Sequence, residues 1–162
     1  VVAGDSAGGG LTAATLVALR DAGLPAPAAA VLISPWVDLS FSGESMDTRA
    51  DVDPMCSRES LTPSAEAYLA DADPQAPTAS PLFADLDGLP PLLVHVGDAE
   101  VLLDDATRFA QRAEAAGVDV TLDVQPEMIH VWHLFGGFVP EADTAVAAVA
   151  RWLDEKVWLA RS

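Results

Sequence analysis

Among 162 residues there is one cysteine, one tyrosine and, at Lys156, one lysine. A single thiol, Cys56, cannot close an intrachain disulfide, which argues against a stapled secreted scaffold and against a cysteine-rich zinc site. Cationic residues are also scarce: eight Lys and Arg stand against 25 Asp and Glu, a net charge of −17. Such a chain repels polyanions, and with no basic cluster anywhere, nucleic acid and membrane surfaces are poor partners. Long hydrophobic runs are missing too. Pro, Asp or Gly interrupts each apolar stretch short of the roughly 18–20 residues that a membrane span requires, and no secretory leader is recognisable. A soluble, cytoplasmic chain is the expectation. There is no initiator methionine either, and the sequence opens inside what reads as a strand, Val1-Val2-Ala3. The expectation is a fragment whose earlier half lies elsewhere.

What is present is an apolar half (51% of residues) in a length that suits one domain. Strand-like and helix-like stretches alternate. After the opening strand, residues 7–20 are rich in Ala and Leu, and Gly23 followed by Pro25 is a helix stop. Ala29 to Ser34 and Pro91 to Gly97 are continuous apolar runs, as expected of strands buried on both faces. Leu102, Leu103, Ala106, Phe109, Ala110 and Ala113 recur at helical spacing, closed by Gly117. Val118, Val120, Leu122 and Val124 alternate with polar residues, which predicts a strand nearer the sheet edge. A last helix from about Glu141 would present Val146, Val149, Leu153 and Val157 as its apolar stripe. Strand and helix in this rhythm mean an α/β fold with a mostly parallel sheet and flanking helices.

Residues 41–80 break the rhythm. Their prolines and acidic residues leave room for one short helix, about 63–70, with Thr62 as N-cap and Pro63 at its first position. An excursion of this length inside a compact domain suits a lid or binding segment, or else a solvated acidic loop.

Gly4-Asp5-Ser6-Ala7-Gly8 fits G-x-S-x-G between a strand and a helix, the context of a nucleophile elbow. A sharp turn there lifts the serine clear of the sheet, and Gly4 and Gly8 are the small neighbours it needs. Gly9 and Gly10 would ease the helix against the sheet, and Asp5 should point away and support the turn. Ser6 then lies at a helix N-terminus, whose dipole favours developing negative charge, with the Ala7 N–H as an oxyanion donor. A phosphate loop would need a Lys that is absent. A trypsin-like protease would be all-β with disulfides, and the other Gly-Asp-Ser hydrolases carry a His three residues after an Asp, which does not occur here. Three histidines could supply a base. His95 lies mid-strand and reads as core, whereas His130 and His133 follow the last strand, where parallel folds put their chemistry. Asp98 and Glu100, after the third strand, are the candidate acids. No His/Asp/Glu cluster has metal-ligand spacing.

The Gly4–Gly9 elbow, Ser80-Pro81-Leu82 ahead of Gly88-Leu89-Pro90-Pro91, and Met128-Ile129-His130 together resemble the hormone-sensitive-lipase-like esterases, a branch of the α/β-hydrolases. The resemblance runs through essentially the whole chain and implies the C-terminal half of that fold, a partial domain over 1–162 with 41–80 as part of a cap. It implies a serine carboxylesterase for short-chain acyl esters, with Ser6 as nucleophile and His130 as base. The family's acid-x-Leu-x-Asp pattern fits Glu100-Val101-Leu102-Leu103-Asp104, which assigns the acid to Glu100 ahead of Asp98. No cofactor or metal is implied. The partners expected are a small-molecule ester and, at most, a second copy of the chain. Phe41, Met55 and Tyr68 would face the acyl pocket or pack within the cap; Trp36 and Asp38 read as structural, and His133 as packing or pocket lining. The family's His-Gly-Gly-Gly loop, which completes the oxyanion hole, has no match in this sequence, so the fragment alone is expected to be inactive. The competing class is a non-catalytic small-molecule-binding protein of the same fold. Plant gibberellin receptors are of that kind, but they lack the catalytic His.

Overall fold

The computed structural model describes residues 1–158; the last four residues of the single-domain reading lie outside the described residues. Four strands form one parallel sheet in chain order: β1 (Val2–Asp5), β2 (Ala30–Ile33), β3 (Leu92–Gly97) and β4 (Val120–Gln125). Helices α1 (Ala7–Asp21), α4 (Leu103–Ala115) and α5 (Pro140–Leu153) cover it, while α2 (Ser45–Thr48) and α3 (Arg58–Leu69) belong to the excursion after β2. The two continuous apolar runs are the central strands, because only a strand covered on both sides has no use for a polar face.

The faces of those strands sort by parity. Ala30, Leu32, Leu92, Val94 and Val96 pack with Ala13, Leu16 and Val17 of α1 and with Ala106, Phe109 and Ala113 of α4. Ala29, Val31 and Leu93 point the other way, onto Trp152 and Val157. Each such Val or Leu, fully buried, contributes about 1.5–3 kcal/mol, so this double-sided core fixes the strand ends from which the loops depart. In register, Asp5, Ile33, His95 and Asp123 lie side by side across the sheet. The residues that follow them therefore emerge along one edge.

Three expectations are corrected. Strand β4 is an edge strand, but Leu122 and Val124 are its exposed residues (37% and 38%), while Thr121, Asp123 and Gln125 are half-buried. Helix α5 lies over the polar face, and the Trp152 indole donates to Thr121 Oγ1 at 3.0 Å. The expected α5 stripe holds for Val149, Leu153 and Val157, which pack with Trp152, whereas Val146 is half exposed and Ala142 and Ala145 complete the buried face.

The excursion holds two helices, and the longer starts earlier than Pro63 suggests. Ser57 is its N-cap: the Ser57 and Ser60 hydroxyls each accept the other's backbone N–H, a reciprocal box that outweighs the preference of proline for a first position. Pro63 sits within the helix, and Thr62 donates back to the Arg58 carbonyl. The segment is docked rather than solvated. Its Met46 and Ala65 pack with Trp36, Leu39, Val101 and Leu102, and Asp53 Oδ2 accepts the Val101 N–H at 2.8 Å.

At Gly10 the helix α1 touches the segment leaving β2, and any Cβ would collide with the Trp36 carbonyl oxygen. Gly10→Ala is expected to lower stability by about 1–3 kcal/mol, read as an earlier urea or thermal midpoint. An unchanged midpoint would show that the segment yields freely.

Candidate active site

The elbow forms as its sequence requires. Ser6 has φ of 53° and ψ of −123°, a conformation that a side-chain-bearing residue adopts only when its surroundings impose it. Here two backbone bonds do so: the Ser6 N–H donates to the Ile33 carbonyl and the Ser6 carbonyl accepts from the Trp36 N–H, both at 2.9 Å. A Cβ at Gly4 would strike the Gly8 backbone, so glycine is needed there. Gly8 is different. A Cβ there meets nothing within 4 Å, so the steric reason the motif suggests does not hold at that position; Gly8 instead borders a cavity. Asp5 is exposed and its carboxylate holds no part of the turn by hydrogen bonding. Ala7 opens α1, where an N–H has no partner within the helix.

Ser6, His130 and Glu100 come together from three strand ends. His130 Nε2 lies 2.9 Å from Ser6 Oγ, and His130 Nδ1 lies 2.8 Å from Glu100 Oε2. A carboxylate can only accept, so the imidazole proton belongs on Nδ1 and Nε2 is left to accept from the serine. Glu100 and His130 are buried, at 0% and 5% exposure. Burial disfavours the imidazolium, but the nearby Cys56 sulfur and the hydrogen-bonded Glu100 carboxylate outweigh it and raise the His130 pKa well above its ordinary value. Asp98, the other candidate acid, does not reach His130: its Oδ1 accepts the Glu127 N–H at 2.7 Å and pins the loop that follows β4.

The remaining histidines form a pair of their own. His95 Nδ1 and His133 Nε2 are 3.0 Å apart, with His95 at 1% exposure. Burial pushes the His95 pKa down against the pull of Asp123. His133 is held at about 4, by burial first and then by His95. Both stay neutral near pH 7; His95 stacks on Trp132 and His133 packs against it at a tilt.

Several residues here were not singled out by sequence. Ser34 is fully buried, and its hydroxyl meets Glu100 Oε1 at 2.7 Å and the Val131 N–H at 3.1 Å. Gly97 donates its N–H to the same Glu100 oxygen at 2.6 Å. Asp105, fully buried on α4, accepts the N–H groups of Val37 and Asp38; burial, then the charge of Asp38, push its pKa well up. Asp38 itself is structural: burial opposes its charge, but four hydrogen bonds from Ser40 and Ser42 hold its pKa low. A serine before a proline gives no sequence signal of this kind. The Gly97-x-x-Glu100 spacing, a turn that brings a side chain back to a backbone N–H, could have been read.

Beside the elbow lies a mostly apolar cavity of about 340 Å³, bounded by Gly8, Leu11, Trp36, Leu39, Tyr68 and Ala79 among others. Of the three residues expected at an acyl pocket, Tyr68 borders it, Phe41 stacks on Trp36 at 5.8 Å, and Met55 is exposed. Trp36 both lines the cavity and packs in the excursion's core. Among the described residues no cluster of His, Cys, Asp and Glu could hold a metal ion, and no helix is long and apolar enough to cross a membrane.

Comparison with known proteins bears on the family and the fold. A family model described as the alpha/beta hydrolase fold matches residues 1–134. An acetyl-hydrolase from Streptomyces hygroscopicus is 51% identical over 152 residues, which are 94% of this chain and 51% of that protein. An esterase from Acinetobacter venetianus is 39% identical, over 93% of this chain and 50% of its own. The chain thus spans about half the length of these curated relatives. Among solved structures, a mutant of the esterase E40 superposes with a TM-score of 0.93 at 52% identity, covering 96% of this chain and 52% of that one. A hormone-sensitive lipase from a metagenome library gives 0.93 at 43% identity, covering 96% and 54%.

The raised pKa of His130 carries a prediction. Glu100→Gln removes a cause of the rise, so the imidazole should titrate at lower pH than in the parent, measured by NMR of the His130 ring protons. Asp98→Asn should move it far less. Equal shifts would mean that Asp98 carries the charge that His130 feels.

Proposed function

The chain belongs to the hormone-sensitive-lipase branch of the α/β-hydrolase family, and from that premise we propose that it carries the nucleophile, base and acid of a serine carboxylesterase. The observation that supports this most directly is the unbroken line of hydrogen bonds from Ser6 Oγ through the His130 imidazole to the Glu100 carboxylate. Each member is matched to one task.

Ser6 Oγ attacks the ester carbonyl carbon as Nε2 of His130, in its neutral form, takes its proton. The imidazolium so formed is stabilised by Glu100, which keeps its own charge. The carbonyl oxygen becomes an oxyanion, and the Ala7 N–H at the head of α1 points its positive dipole end at that charge. Collapse breaks the bond to the alkoxide, which leaves with the proton from His130. Water then repeats the sequence on the acyl-enzyme and frees the acid and Ser6. A single backbone donor is a weak oxyanion hole, since losing one donor typically costs about 10²–10³ in rate. We therefore place the remaining donors outside these 162 residues, in a protein of about the relatives' length.

The substrates we propose are short-chain acyl esters. The cavity next to Gly8 is lined chiefly by apolar side chains and is of a size for a short acyl group, with Tyr68 and Ala79 of the 41–80 segment closing one side. That segment acts as part of a cap. A non-catalytic ligand-binding role is disfavoured by His130 itself, which stands within hydrogen-bond reach of the serine.

Ser6→Ala and His130→Ala should each lower kcat for p-nitrophenyl butyrate hydrolysis by about 10⁶-fold, measured on the intact protein. A sulfonyl fluoride should add to Ser6 in the parent and not in Ser6→Ala, seen by mass spectrometry. Hydrolysis that persists in Ser6→Ala would overturn the reading.

A further inference from the structure

We infer that Ser34 is a fourth member of the site, a positioning residue that locks acid and base together through one hydroxyl. The inference rests on the esterase reading above and adds to it the residue that holds Glu100 and His130 in line.

Ser34 occupies the first position past β2, the strand flanked by β1 and β3, which carry the nucleophile and the acid. Its N–H donates to the His95 carbonyl of β3 at 2.7 Å, fixing the main chain there. The side chain has one proton, and a carboxylate offers only lone pairs, so the hydroxyl donates to Glu100 Oε1 at 2.7 Å. An oxygen lone pair remains, and it accepts the Val131 N–H at 3.1 Å. One fully buried oxygen thus ties the carboxylate to the main chain of the residue immediately after His130.

The backbone at both ends of this bridge is strained. Ser34 has φ of 46° and Val131 has φ of 49°, the left-handed region that non-glycine residues rarely enter and that a β-branched side chain tolerates least. Such conformations persist only where the surroundings over-determine them. Among the described residues, the Ser34 oxygen is the only side-chain partner of the Val131 N–H. Left-handed backbone at Val131 sets the direction in which the chain leaves His130, and hence where Nε2 points relative to Ser6. Without the hydroxyl, Val131 is free to relax, and Glu100 keeps only Gly97 to hold Oε1.

The test separates hydroxyl from strain. Ser34→Gly removes the hydroxyl while accommodating the positive φ without cost. It should still fold, with a lower melting midpoint because the buried carboxylate and the Val131 N–H each lose a partner, and lower kcat about 10- to 100-fold, the usual cost of losing a partner that orients a reacting group. KM should change little. Ser34→Thr keeps the hydroxyl on a β-branched frame that dislikes this φ, so it should melt earlier yet recover turnover relative to the glycine variant. The far-downfield proton on His130 Nδ1 should broaden or move in Ser34→Gly and persist in Ser34→Thr. A glycine variant with the parent's kcat overturns the inference, as does a threonine variant no faster than glycine. Absence of Ser6-dependent hydrolysis in the parent would instead overturn the esterase reading, which keeps the two failures distinct.

Discussion

A carboxylate at 0% exposure is the constraint to which the rest of the structure answers. Burying Glu100 costs several kcal/mol unless its oxygens are matched by donors. Three donors match them: the Ser34 hydroxyl, the Gly97 N–H and the His130 Nδ1–H. They come from the end of β2, the end of β3 and the loop after β4. The carboxylate can be satisfied only if all three segments converge, so the cost of burying it enforces the convergence. The docked excursion adds a fourth constraint, because Asp53 and Ser45 bind the turn at Val101–Asp104 that follows Glu100.

The regular part of the fold makes this affordable. Parallel strands in matched register deliver Ser6, Ser34 and the β3 exit side by side, and apolar packing on both faces of the sheet holds them there. Strain gathers at the rim, with Phe41 and Ala70 of the excursion as the other non-glycine residues of positive φ. Ser6, Ser34, Glu127 and Val131 all have positive φ without being glycine, and all lie on loops at the C-terminal edge of the sheet. The sheet stores stability and the rim spends it on orientation, which is the distribution expected where a site must be pre-organised.

How much of this could be read from the chain depends on whether the signal was local. The elbow is local: glycine, serine and a strand-to-helix switch lie within a few residues, which is enough to make Ser6 a candidate nucleophile. The central strands are local too, as unbroken apolar runs. The faces of β4 were not, because Leu122 and Val124 look buried until Trp152 of α5 is seen to bond Thr121 on the polar side. At the start of α3, two local signals competed, and the Ser57–Ser60 box prevailed over Pro63. Ser34 had no local signal at all. Its partners are 66 and 97 residues away, so only the folded topology makes it more than a serine in a turn.

The same distinction explains how a short segment bearing His130 and His133 offers one proposed base. Both rings are partly or fully withdrawn from water, and burial alone would lower both pKa values. Their partners decide the outcome. His130 faces a carboxylate, so its cationic form gains more than burial takes away. His133 faces another imidazole, and a second proton on that pair would be repelled, so its pKa falls to about 4. Spacing of three residues puts the rings on different neighbours: the turn at Val131 sends His130 toward Glu100 and His133 back over His95. A residue next to the base in sequence is thereby kept neutral and structural, and the left-handed turn between them, held by Ser34, is what divides the roles.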